Sequence, residues 1–142
     1  MAGDIKTYSA DRVKIIVGAH TITGTADGTF VTIEPLGDGV TSEAGAYGDV
    51  ARSMSLDPRH TINTTLQQTS RSNDVLSSLA DADRLSGGNG AFPITITDLR
   101  GGTLFAGTGW IVKKATATFA KGLEAKEWPI EAVGQFTNGG ND

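Results

Sequence analysis

A chain of 142 residues with 38% apolar content can fill one hydrophobic core, so a single domain over residues 1–142 is expected. Its 16 acidic and 12 basic residues leave a net charge of -4, which argues against a surface built to neutralise nucleic-acid phosphates. Without cysteine there are no disulfides, thiolate metal sites or thiol nucleophiles, and two histidines, His20 and His60, cannot build a histidine metal cluster. Residues 1–8 carry no basic patch leading into an apolar run. No apolar run approaches the roughly 18 residues of a membrane helix, so a soluble protein made in a cytoplasm is expected. The 19 glycines and abundant threonine favour strands and turns over a helical bundle.

Residues 12–23 are rich in Val, Ile and Thr, and Thr23-Gly24 and Asp27-Gly28 mark a turn before a strand at 29–34. The pair reads as a hairpin ended by Pro35. Residues 38–58 show no period; a loop of that length in a compact domain is usually functional, and this one reads as an extended arm with room for its own strand pairing. Alternation returns at 60–68, where Ile62, Thr64 and Leu66 share one face and Thr61, Asn63, Thr65 and Gln67 the polar, uncharged other. A helix over 71–86 follows, capped by Ser70 or Ser72, with Val75, Leu76, Leu79 and Leu85 as its apolar side and a stop at Gly87-Gly88. A second hairpin spans 92–99 and 103–120, turning at Arg100-Gly101-Gly102. The last strand, 127–136, places Trp128, Ile130, Ala132 and Phe136 on one face and Glu127, Glu131 and Gln135 on the other; residues 137–142 read as a mobile end.

No catalytic constellation assembles. Gly87-Gly88-Asn89-Gly90 follows a helix and lacks the Lys-Ser/Thr of a phosphate loop. Asp81 and Asp83, two apart on a helix, point in different directions, and the glycosylation pattern Asn63-Thr64-Thr65 has no secretory route. Lys113, Lys114, Lys121 and Lys126 read either as lysines guarding an exposed edge or as a subunit contact to acidic residues. No catalytic residue, cofactor or metal is therefore expected.

Three stretches carry a resemblance: Gly45-Ala46-Tyr47-Gly48-Asp49-Val50-Ala51-Arg52-Ser53, Thr65-Leu66-Gln67-Gln68-Thr69-Ser70 and Ser72-Asn73-Asp74-Val75-Leu76. Together they resemble the tail tube proteins of contractile-tailed bacteriophages, a fold group that includes the tubes of type VI secretion and contractile bacteriocins. Pro58 departs from the pattern, placing a rigid break where the family leads smoothly into the strand. The resemblance implies an all-β domain with one helix, a β-sandwich or small barrel with a long inter-subunit arm, stacked as hexameric rings into a virion tube. It implies as partners the chain itself, the tail sheath protein, baseplate and tail terminator proteins, and phage DNA passing without specific binding; no membrane segment is involved. Thr61, Asn63, Thr65, Gln67, Glu127, Glu131 and Gln135 are then candidates for the lumen, and Glu43, Tyr47, Asp49 and Arg52 for the inter-subunit arm. The rival reading is a small ligand- or carbohydrate-binding β-sandwich using Trp110, Trp128 and Tyr47 as an aromatic platform.

Overall fold

The computed structural model describes residues 9–99 and 102–138. A 3-10 turn, Ala10–Arg12, leads into β1 (Val13–Val17) and β2 (His20–Thr21). Then come β3 (Val31–Pro35), β4 (Val40–Ala44), β5 (Val50–Met54), β6 (Arg59–Leu66), the helix α1 (Ser72–Leu85), β7 (Phe92–Asp98), β8 (Gly102–Ile111) and β9 (Lys126–Phe136). Seven strands form one antiparallel sheet in the order β2-β1-β7-β8-β9-β6-β3, while among the described residues β4 and β5 pair only with each other. The chain is thus all-β with one helix. Among the described residues no ladder joins β2 to β3, so the sheet does not close into a barrel.

The expected first hairpin does not form. β1 turns through Gly18, at a φ of 60° that favours glycine, onto β2 and takes β7 as its other neighbour; β3 pairs with β6 at the far edge. The intervening segment is captured by the end of β6, where Ala26 N–H donates to the Thr65 carbonyl, Thr65 N–H to that of Phe30 and Gln67 N–H to that of Gly24. Backbone groups that a local turn would have left to water are thereby paired within the protein.

In the seven-stranded sheet, alternation sends one side of the strands inward. Ile15, Val17, Ile62, Leu66, Ile94, Ile96, Phe105, Ile111, Trp128, Ile130 and Ala132 are buried there. His60 shares that side, edge-on to the rings of Phe105 and Phe136 at 5.3 and 5.6 Å. Between β1 and β3 the sheet leaves a cleft of about 460 Å³, bordered by inward residues such as Val13, Val31, Ile33, Ile96 and Phe136. At Gly107 and Gly134, directly paired on β8 and β9, the backbones approach so closely that a Cβ on Gly134 would stand 2.3 Å from the Ala106 carbonyl oxygen.

α1 covers one end of the apolar face. Ser70 Oγ accepts the Ser72 N–H, and Asn73 joins helix to sheet: its amide donates to the Gln67 carbonyl at 2.9 Å and its Oδ1 accepts Trp128 Nε1–H at 2.9 Å. Ser72 Oγ accepts the Thr23 N–H and lies 2.9 Å from His20 Nε2. Leu76 is fully buried and Val75 and Leu79 partly so, but Leu85 is 87% exposed, against the expectation. At about 100° per residue, the nine positions from Leu76 to Leu85 carry the latter to the opposite side of the helix. The helix stops where Gly87 and Gly88 take φ of 73° and 99°. Of the C-terminal end, Thr137 is tied to the Leu104 carbonyl by its N–H at 2.8 Å; residues 139–142, like Arg100 and Gly101 of the β7–β8 turn, lie outside the described residues.

Candidate wall face and arm

The outward face of the sheet gathers residues that are scattered in the sequence. Thr61 stands opposite Glu131, Asn63 opposite Pro129 and Thr65 opposite Glu127 along the β6–β9 ladder, and directly paired antiparallel residues point to one side. Gln135 continues that face on β9 beside Ala106 of β8. Six of the seven polar candidates therefore share a face. Gln67 lies one residue past the end of β6, exposed, with its backbone turned to Gly24 and Asn73.

Sequence reading missed other members. Glu34 of β3 pairs with Thr61, and Trp110 of β8 with Glu131, so one row across four strands runs Glu34, Thr61, Glu131, Trp110. The β3 alternation was legible, but its neighbour was not. Arg59 is on the same face, diagonal to Glu131, and its guanidinium is held above its ordinary pKa first by Asp57 and then by Glu131. Carboxylates on the face outnumber cations, with Glu34, Glu127 and Glu131 against Lys14 and an Arg59 already committed to Asp57.

Residues 38–58 are an exposed hairpin. Val40 pairs with Met54, Ser42 with Arg52 and Ala44 with Val50, and every residue of β4 and β5 is exposed. Gly45 N–H donates to the Asp49 carbonyl at 2.7 Å across the tip, where Tyr47 is 98% exposed. Glu43, Tyr47, Asp49 and Arg52 thus all project from the body of the domain.

The root of the hairpin is clamped. Arg59 grips Asp57 with Nε on Oδ1 and Nη2 on Oδ2, both at 2.9 Å, and its own N–H donates to Oδ1 at 3.1 Å. The break introduced by Pro58 is therefore bridged by the residues on either side. These donors favour the charged carboxylate and lower the Asp57 pKa from 3.8 to about 2, the Arg59 side chain contributing most. A depressed carboxylate stabilises the fold fully above its unfolded pKa and loses that contribution as pH falls through the folded value. Being exposed, the pair adds little to global stability. The expected result is a local one: the Asp57 carboxyl carbon titrates in NMR with a midpoint near 2, and Arg59→Lys, which loses the fork, moves it upward. A midpoint unchanged by that substitution would show that the fork does not set it.

The aromatic platform of the rival reading does not assemble. Trp128 is 3% exposed on the inward face, Trp110 is on the outward face, and Tyr47 is at the hairpin tip. Among the described residues no cluster of three His, Asp or Glu side chains is placed to hold a metal, and no helix is long and apolar enough to cross a membrane.

No protein-family model matches the chain. It is similar to Structural protein ORF10 of Pseudomonas phage KPP10, with 31% identity over 150 residues, covering 99% of this chain and 87% of that protein. With that identity sustained along nearly the whole of both chains, this protein belongs to the family of phage structural proteins that the Pseudomonas phage relative represents.

Proposed function

We propose that this phage structural protein is a non-enzymatic subunit of the inner tube of a contractile tail, polymerising as stacked hexameric rings around a channel for DNA. The observation that carries the reading is the outward face on which Thr61, Asn63, Thr65, Glu127, Glu131 and Gln135 stand together on adjacent strands. A wall of neutral and acidic groups repels a phosphate backbone and lets DNA slide. The open edges at β2 and β3 support the same reading, because a ring can continue the sheet from one subunit into the next. The exposed hairpin supplies a reach toward a neighbouring subunit. In the virion, such a tube runs between baseplate and tail terminator inside the sheath. The phage origin of the relative favours a phage tail over a bacteriocin or secretion tube.

Negative-stain microscopy of the purified protein tests this directly: rings or tubes are expected, and a monomer at all concentrations would defeat it. Deleting residues 43–50 should leave a folded domain that no longer forms tubes. The wall is tested separately. Replacing Glu127 and Glu131 with lysine should permit assembly yet slow DNA exit at low salt, since a ring of lysines holds phosphate. Ejection at the wild-type rate would remove these glutamates from the channel.

A further inference from the structure

Two exposed segments of this chain complement each other, and the register puts them at opposite ends of the sheet. The first is the hairpin tip, residues 43–50, which carries Glu43 and Asp49 and no base, for a charge of -2. Tyr47 and Val50 stand there 98% and 66% exposed. The second is the irregular connection between β8 and β9. Its residues 112–123 carry Lys113, Lys114 and Lys121 and no acid, for a charge of +3. Phe119 and Leu123 are 80% and 76% exposed there. Lys114 is bound to Asp81 at 2.8 Å, whereas among the described residues Glu43, Asp49, Lys113 and Lys121 make no ion pair.

The connection is held at both ends. Val112 N–H donates to the Pro129 carbonyl, and Glu124 N–H to Gln68 Oε1. Fourteen residues without regular structure but with fixed ends are the kind of loop that usually has a task.

The hairpin leaves the sheet where Pro35 pairs with His60 and Arg59 with Val133. The lysine loop leaves it where Leu66 pairs with Lys126 and Ile111 with Ile130. From Arg59 to Leu66 is seven residue steps along β6, about 23 Å at 3.3 Å each, while Ile111 stands level with Ile62, three steps from Arg59. The two segments therefore leave the sheet at opposite ends within one copy.

We propose that the hairpin tip of one copy docks on the 112–123 loop of a second copy, with Tyr47 and Val50 against Phe119 and Leu123, and Glu43 and Asp49 facing Lys113 and Lys121. The occupant is a second copy because this chain itself carries the matching charge and apolar surface. Two unlike patches at opposite ends make a head-to-tail contact, which repeats into an open stack when its rotation does not close a ring, where a self-matching patch would stop at a dimer. The docking rests on the tube reading and names the surfaces by which subunits stack.

The test is a charge swap. Glu43→Lys with Asp49→Lys reverses the tip, and Lys113→Glu with Lys121→Glu reverses the loop. Each double variant should keep the wild-type circular dichroism and melting temperature. Each alone should raise the critical concentration for assembly at least about tenfold, since facing like charges costs more than the 1.4 kcal/mol to which that factor corresponds. An equimolar mixture should assemble again, because each reversed segment then meets its reversed partner. Added salt should weaken the wild-type assembly by screening. Folded variants that assemble like wild type, a mixture that stays dispersed, or a wild type that never self-associates would each overturn the docking. Tubes from wild type and both variants alike would leave the tube reading standing without it, whereas rescue into assemblies that are not tubes would retain the docking and defeat the tube.

Discussion

Gly134→Ala is expected to cost about 3 kcal/mol or more, at the upper end of what overpacking usually exacts. A Cβ there would meet the Ala106 carbonyl oxygen at 2.3 Å and Gly107 Cα at 2.5 Å, and both obstacles are backbone held in the β7–β8–β9 ladder. No rotamer change can relieve the contact, so the strands must separate and lose hydrogen bonds. Gly107→Ala meets the mirror-image clash, with the Val133 carbonyl oxygen at 2.3 Å and Gly134 Cα at 2.7 Å. Because the same strand separation serves both, the double variant should cost less than the sum of the two singles. Urea unfolding with the m-value followed gives the comparison. Single variants within about 0.5 kcal/mol of wild type would mean that the strands have room to spare.

Leu76→Ala is expected to lose about 2–5 kcal/mol, the range for emptying a buried leucine site. The side chain is wholly buried and belongs to the same cluster as Ile62, Leu66 and Trp128. Leu85→Ala on the same helix is the matched control. With the side chain 87% exposed, it should stay within about 0.5 kcal/mol. Equal losses from the two would contradict the placement of the helix.

The two-residue period of β6 and β9 made their faces readable, because a strand buried on one side must alternate. The face holding Thr61, Asn63, Thr65, Glu127 and Glu131 followed from that alternation without knowledge of neighbours. Pairing was different. β3 joins β6 and β1 joins β7 across long stretches of chain, and a strand's pattern says which side is buried but not which strand lies beside it. Residues 38–58 read as an arm with room for its own strand pairing, but without strand bounds or register, since strands exposed on both faces have no apolar rhythm to reveal them. The close approach at Gly107 and Gly134 was invisible for a similar reason: glycine reports a need for space only once its opposite is known.

The polar knot at the start of α1 bears on the order in which the chain folds. His20 reaches Ser72 across 52 residues of sequence, Thr23 reaches the same hydroxyl across 49, and Asn73 meets Trp128 across 55. Each bond closes a large loop, an entropic cost that only a body already collected can offset. The β4–β5 ladder, by contrast, joins residues no more than 14 positions apart, as Val40 to Met54 shows. Such a hairpin can zip in microseconds, whereas domains rich in distant contacts take milliseconds to seconds. During synthesis the arm can therefore be shaped before β9 has emerged, and docking of the helix start onto Trp128 must wait for almost the whole chain.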